Sequence, residues 1–374
     1  MTSRKPSGAV RTSILNIGAA ILILAAVVAA LALGRPFLLP LVLAVVVWYV
    51  IASLRDFMSG LNIGGFQLPR WVSLLLAMGV IGSIAYFVVN IVLASFSSLL
   101  GDFSAYAADA NRLLALLQGL LPEGLSLDIN LQDQFDRILG IANNFAGQLR
   151  LVTQNLVIVV IYVAFMLVED QRFSSKLKHL FPRADDYSRA RIMLGTISRK
   201  IQAYLAVKTL MSLITAVLAY IILLVFDINY APVWAMLVFF LNFIPVVGSI
   251  IAVMLPAAMA VLQFWDGSAW VILVVTGLLI GVQQLVGSFL EPRFLGNSLN
   301  LSPLIILVSL SFWGFLWGPV GMLISVPVTV MLAIIFASVP ATRWIAVLLS
   351  QNGDSVEEEF GPVVAPVAGR DAED

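Results

Sequence analysis

The sequence predicts an all-α polytopic membrane protein. It is expected to have about six full spans, two Pro/Gly-broken helical hairpins in an inverted repeat, and an external helical arm. Three observations carry this reading. Of 374 residues, 61% are hydrophobic and only 11% are charged, whereas a soluble domain carries about 25% charged residues. The apolar residues fall in runs of about 18 or more with few charges, which is the pattern of membrane-spanning helices. Two further apolar runs are too long for one crossing and are interrupted by Pro and Gly. Mean hydropathy is +1.01. Lys+Arg and Asp+Glu number 21 each, so there is no net charge to attract nucleic acid. The chain has no cysteine, which excludes disulfides, thiolate-held metals and thiol catalysis.

The N-terminal unit (1–94) holds three spans. The first, 14–33, follows Arg4, Lys5 and Arg11. Ala30-Leu31-Ala32 resembles a signal-peptide cleavage site, but a second span follows at once at 37–54, across the turn Gly34-Arg35-Pro36. The third span is 71–94. Residues 95–150 repeat apolar side chains every three or four positions on both sides of Pro122-Glu123-Gly124. They read as an external arm of two amphipathic helices whose apolar stripe packs on itself or on another subunit. The next unit, 151–204, holds the fourth span (151–168) and basic cytoplasmic helices.

Two repeat units follow. The first, 205–264, joins the span 205–226 to a broken apolar segment, 231–264. The second, 265–345, joins the span 268–290 to another, 303–339. As straight helices these segments would each run about 50 Å, well beyond the roughly 30 Å of hydrocarbon. Asn242, Pro245, Gly248 and Ser249, then Pro256, interrupt the first; Trp317, Gly318, Pro319 and Gly321, then Pro327, interrupt the second. Each reads as a hairpin that enters and leaves by one side, with its tip against a cavity. Ordinary kinked spans are the alternative. Residues 346–374 carry scattered Gly and Pro among acids and read as a disordered cytoplasmic tail.

Charge orients the chain. Loop 170–204 carries eight Lys/Arg, whereas 95–150 carries three against six acids. The positive-inside rule then places both termini in the cytoplasm and the arm outside. The two span-plus-hairpin units come out with opposite orientations, an arrangement of transporters with a midplane substrate site.

No catalytic or nucleotide-binding motif occurs, so an enzyme, a bound cofactor and a metal site are not expected. Lys208 lies a turn or two inside the fifth span, and snorkelling to the cytoplasm is its simplest reading. Asp227 and Glu291 stand at span ends. Neutral polar residues gather at the repeats: Asn242, Ser249, Gln283, Gln284, Ser288, Ser309 and Ser311. Pro245 and Pro319 should each free a carbonyl four residues back, on Leu241 and Phe315. With the flat faces of Trp313 and Trp317 these groups suit a small, uncharged, polyhydroxylated solute. Interhelical hydrogen bonding and interfacial anchoring are the plainer roles of the same side chains. Gly277 and Gly281 are spaced for close helix packing.

The run Asn242-Phe-Ile-Pro245-Val-Val-Gly248, the run Glu291-Pro292-Arg293-Phe-Leu-Gly296-Asn-Ser-Leu299-Asn-Leu301-Ser-Pro303, and the run Trp317-Gly318-Pro319-Val-Gly321 with its later Pro327 resemble the autoinducer-2 exporter family. Ser249 departs from the pattern, standing where a second Pro is expected. The resemblance implies export of a small signal, autoinducer-2, across a bacterial cytoplasmic (inner) membrane. It also implies a homo-oligomer, with a pentamer as the expected state, in contact with the lipid bilayer and a small polar solute. The gating or binding candidates are Asn242, Pro245, Gly248, Ser249, Gln283, Gln284, Glu291, Arg293, Trp313, Trp317, Gly318, Pro319, Gly321 and Pro327. A monovalent cation/proton antiporter using Glu291 or Asp227, and a non-transporting scaffold built on the arm, are the alternatives.

Overall fold

The computed structural model describes residues 9–60, 72–83, 157–167, 175–265, 267–295 and 300–351, with isolated residues between these stretches. Nearly all of the expected external arm and of the acidic tail, and residues 296–299, lie outside the described residues.

Helices dominate. α1 (Ala9–Leu33) and α2 (Arg35–Gly60) are separated by the Gly34 turn. Asn62–Ile63 and Phe66–Gln67 form a small antiparallel pair, Asn62 opposite Gln67, which no pattern in the sequence announced. α3 (Val72–Ser83) and α4 (Val157–Leu167) are apolar helices that pack on α2 through Ala44, Ile51, Ala77, Val159 and Val163. Among the described residues, five helices are long and apolar enough to cross a membrane. Leu273 and Phe315 are 75% and 86% exposed. Apolar side chains stand outward along the other long helices too, a surface that a soluble monomer avoids and a bilayer covers.

α5 (Ala184–Val225) is one continuous helix of 42 residues. The sequence predicts a division at 204, where charge gives way to apolar residues. That boundary marks a change of surroundings, not of backbone: after Pro182 no Pro interrupts the segment, so the hydrogen-bond ladder runs through. At about 1.5 Å per residue it is roughly 63 Å long. Asp185 and Asp186 occupy its first turn, where carboxylates suit the helix dipole.

α6 (Ala231–Leu241) and α7 (Val247–Phe264) pack against each other through Trp234, Val238, Ala252, Met259 and Ala260. Gln263, at the end of α7, accepts from the Asn229 amide at 2.9 Å and donates to the Asp227 carbonyl at 2.7 Å. The pair therefore starts and ends at one place and forms a helical hairpin.

α8 (Ala269–Gln284) continues through a π-helical turn, Leu285–Leu290, into the short α9 (Glu291–Leu295). Glu291 N–H donates to the Val286 carbonyl, five residues back.

α10 (Pro303–Ser338) is two helical stretches that meet at Gly318, whose φ of 68° and ψ of −148° are non-helical and reverse the chain. The Ser309 hydroxyl donates to the Ser325 carbonyl at 3.2 Å and hydrogen-bonds the Thr329 hydroxyl. In a straight helix Ser309 and Ser325 would lie about 24 Å apart. Residues 303–317 and 319–338 are thus the two arms of a second hairpin. α11 (Arg343–Leu349) closes its base, where the Ser302 amide donates to the Leu349 carbonyl at 3.0 Å.

Candidate functional site

The tip of the first hairpin is built from 242–248. Val246 sits at φ 62° and ψ −64°, and the Val247 amide donates to the Pro245 carbonyl at 2.7 Å. This is a γ-turn of the rare positive-φ kind. For a β-branched residue that conformation is strained, at about 1–3 kcal/mol. Gly248 follows because nothing larger fits: a Cβ there would stand 1.8 Å from the Leu241 carbonyl oxygen. The second tip repeats this device, since a Cβ on Gly321 would stand 2.0 Å from the Trp313 carbonyl oxygen. Pro245 does not free the Leu241 carbonyl as expected: that oxygen accepts from the Ile244 amide at 2.8 Å, because the turn tightens to an i→i+3 bond.

The strained tip presents Asn242, which is buried. Its amide nitrogen donates to the Ser212 hydroxyl at 3.2 Å, and its oxygen accepts from the Gln283 amide at 2.9 Å. One side chain therefore joins α5, the hairpin tip and α8. Counted along α5, Ser212 lies about 20 Å from the Val225 end; along α8, Gln283 lies about 21 Å from Ala269. The two helices place the tip at the same depth.

One turn below Ser212 on the same face of α5 is Lys208. It does not snorkel. Its ammonium donates to the Glu291 carboxylate at 2.5 Å, and the two side chains are 7% and 18% exposed. Snorkelling lost because a carboxylate stands within reach inside the bundle. A buried pair is worth little net, but removing one partner strands the other and costs about 3–5 kcal/mol.

The π turn makes this constellation. Eight residues separate Gln283 from Glu291, and in an α-helix eight residues turn about 800°, roughly 80° past two full turns. The wider π turn takes back much of that excess, so both side chains reach toward α5. Tyr204, one turn beyond Lys208, is buried.

Other candidates go elsewhere. Gln284 is exposed and accepts from its own neighbour Ser288 at 2.7 Å. Ser249 is half-buried beside the tip, and Arg293 is exposed on α9. Trp313 and Trp317 are buried, 5.1 Å apart between ring centres, and pack with Leu31 and Leu38 of the α1–α2 turn. The Trp317 indole N–H donates to the Leu31 carbonyl at 3.0 Å. That packing covers their faces, and neither ring is among the hydrogen-bond partners of Asn242. Arg35 approaches Gly318, exposed Pro319 follows, and buried Pro327 lies mid-arm. Gly277 and Gly281 have no neighbour within 4 Å of a would-be Cβ, so they mark no close helix contact among the described residues. Away from the cluster, a hydrogen bond from Lys176 holds Glu169 below the usual carboxylate range; both are exposed, and such a surface pair adds little stability.

Sequence reasoning missed Ser212 and Val246. Ser212 had a signal, its i+4 spacing from Lys208. Val246 had none, because its strain exists only in the folded turn.

Relatives cover most of the chain. A protein of Haemophilus influenzae with a provisional transport-protein name is 31% identical over 359 residues, 91% of this chain and 97% of the relative. The AI-2 transport protein TqsA of Escherichia coli is 30% identical over 296 residues, 76% of this chain and 83% of the relative. A transport protein of Bacillus subtilis, also provisionally named, is 24% identical over 311 residues, 80% of this chain and 86% of the relative. The family model described as AI-2E family transporter matches residues 21–341. With a match spanning all but the chain's two ends, this membrane protein belongs to the AI-2E transporter family.

Proposed function

We propose that the chain moves a small polar organic solute across the bacterial inner membrane, and that autoinducer-2 is the solute it exports. The observation that carries this reading is the Asn242 junction. A strained hairpin tip ends in an amide held only by neutral polar partners, Ser212 and Gln283, inside an apolar bundle. Hydroxyls of a solute can replace those partners one for one, so binding and tip movement share the same groups. In a bilayer of about 30 Å the tip stands some 20 Å from one face. The hairpins act as re-entrant gates in two units of opposite orientation, and access alternates around the first tip. The name of the Escherichia coli relative, an AI-2 transport protein, supports the choice of solute. The basic segment 170–204 supports a cytoplasmic placement for both termini.

The test is flux of labelled autoinducer-2 into proteoliposomes of purified protein, wild type against Asn242→Ala. The Lys208–Glu291 pair favours a second reading, exchange of a monovalent cation for protons at Glu291. A pH-sensitive dye that responds to sodium in wild type, but not in Glu291→Gln, would support it.

A further inference from the structure

Glu291 is the first residue past the π turn, and Lys208 is one helical turn from the serine that holds the hairpin tip. The ion pair and the tip thus share both supporting helices. The π turn is the departure from α-helical geometry between Gln283 and Glu291. π-helical turns are rare and recur at functional sites, and an α-helical ladder across 285–290 would satisfy the same backbone groups with more regular bonds. That ladder would rotate Glu291 and Gln283 out of their common face by about 80°. Glu291 could not then reach Lys208 while Gln283 held Asn242. The ion pair is the contact that favours the π form, and its strength depends on one ionised carboxylate.

We propose that the Lys208–Glu291 pair is a proton-operated latch: ionised Glu291 holds Lys208, keeps the π turn and pins the Asn242 tip, and a proton bound at Glu291 releases all three. The incoming proton adds to the carboxylate and makes a neutral carboxylic acid. Lys208 keeps its three ammonium protons and turns toward Ser212, one turn along α5. Ser212 then has a competitor to Asn242, and the π turn relaxes. Among the described residues, the titratable groups beside Glu291 are Lys208 and Tyr204 on α5 and Arg293 on its own segment. The hairpin presents Asn242, which does not titrate. Coupling of solute flux to protons rests on the transport reading above; the latch does not.

The absence of cysteine in the chain makes the test direct. A single Ser249→Cys in the full-length protein, reconstituted in vesicles without any solute, reports tip opening through its rate of reaction with a water-soluble methanethiosulfonate. Rates are normalised to those of a free thiol at each pH. From about pH 8 to about pH 4, a range that brackets carboxylate titration, the rate should rise about tenfold, a population shift within reach of one ion pair. With Glu291→Gln added, the rate should be fast and independent of pH. Glu291→Gln leaves a lone buried ammonium, so Lys208→Met/Glu291→Gln, which removes both charges, should give the same fast, flat profile if the single variant does not fold. A flat profile in the wild-type background, or slow labelling in the charge-free pair, overturns the latch. Failure of solute flux with these labelling results intact would instead overturn the transport reading.

Discussion

The side-chain amide of Gln283 donates to the side-chain oxygen of Asn242 at 2.9 Å, and this bond ties a full-length helix to the tip of a hairpin that starts and ends elsewhere. Its neighbour Gln284 faces away and bonds within its own helix. Adjacent glutamines therefore have opposite roles. Gln283→Ala should lower solute flux and thermal stability in detergent, by about 0.6–1 kcal/mol for one intramembrane hydrogen bond. Asn242→Ala removes two bonds and should lose about twice that. Gln284→Ala should match wild type in both assays.

The ion pair makes a different prediction. Lys208→Met alone leaves a buried carboxylate without its partner and should destabilise by about 3–5 kcal/mol. Lys208→Met with Glu291→Gln should recover most of the loss, because no unpaired charge remains. Thermal unfolding in detergent of wild type, Lys208→Met, Glu291→Gln and the double variant checks this. Additive losses would mean that the two side chains do not share an interaction.

Much of this architecture was legible in the sequence, for physical reasons. Hydrocarbon thickness limits a span, so the overlong apolar segments pointed to a fold-back, with kinked spans as the alternative. Their breakers, Pro245 with Gly248 and Gly318 with Pro319, lie where the structure turns. The site was only half legible. Asn242 and Gln283 stood out as polar residues among apolar ones. The partnership of Lys208 and Glu291 did not, because 83 residues separate them and the π turn that aligns them has no signature in composition. Helix periodicity assumes one rise and one twist throughout, and the site forms where that assumption fails.

The reversal at Gly318 has its own test. Ser309 and Thr329 share a hydrogen bond across the second hairpin, whereas a straight helix would hold them about 30 Å apart. In this cysteine-free chain, Ser309→Cys/Thr329→Cys should be joined within one molecule by a short bifunctional thiol reagent. Mass spectrometry of the digested protein would show the linked peptides. Reaction of each cysteine singly, with no link, would contradict the hairpin.

Strain at the first tip should be measurable. Val246 holds a positive φ that costs a β-branched residue about 1–3 kcal/mol. Glycine removes the strain and adds about 0.5–1 kcal/mol of backbone entropy cost. Val246→Gly should therefore gain up to about 2 kcal/mol in thermal unfolding. Gly248→Ala does the opposite, since its Cβ would meet the Leu241 carbonyl. It should lower the yield of folded protein sharply.

The most direct test of the central claim is the uptake of labelled autoinducer-2 by proteoliposomes containing purified wild-type protein, with Asn242→Ala and Gln284→Ala reconstituted in parallel. The prediction is protein-dependent flux that Asn242→Ala impairs and Gln284→Ala leaves intact. Flux no greater than that of protein-free vesicles, with the protein shown to be folded, would contradict autoinducer-2 transport. Flux that Asn242→Ala leaves unchanged would contradict the placement of the solute site at the first hairpin tip.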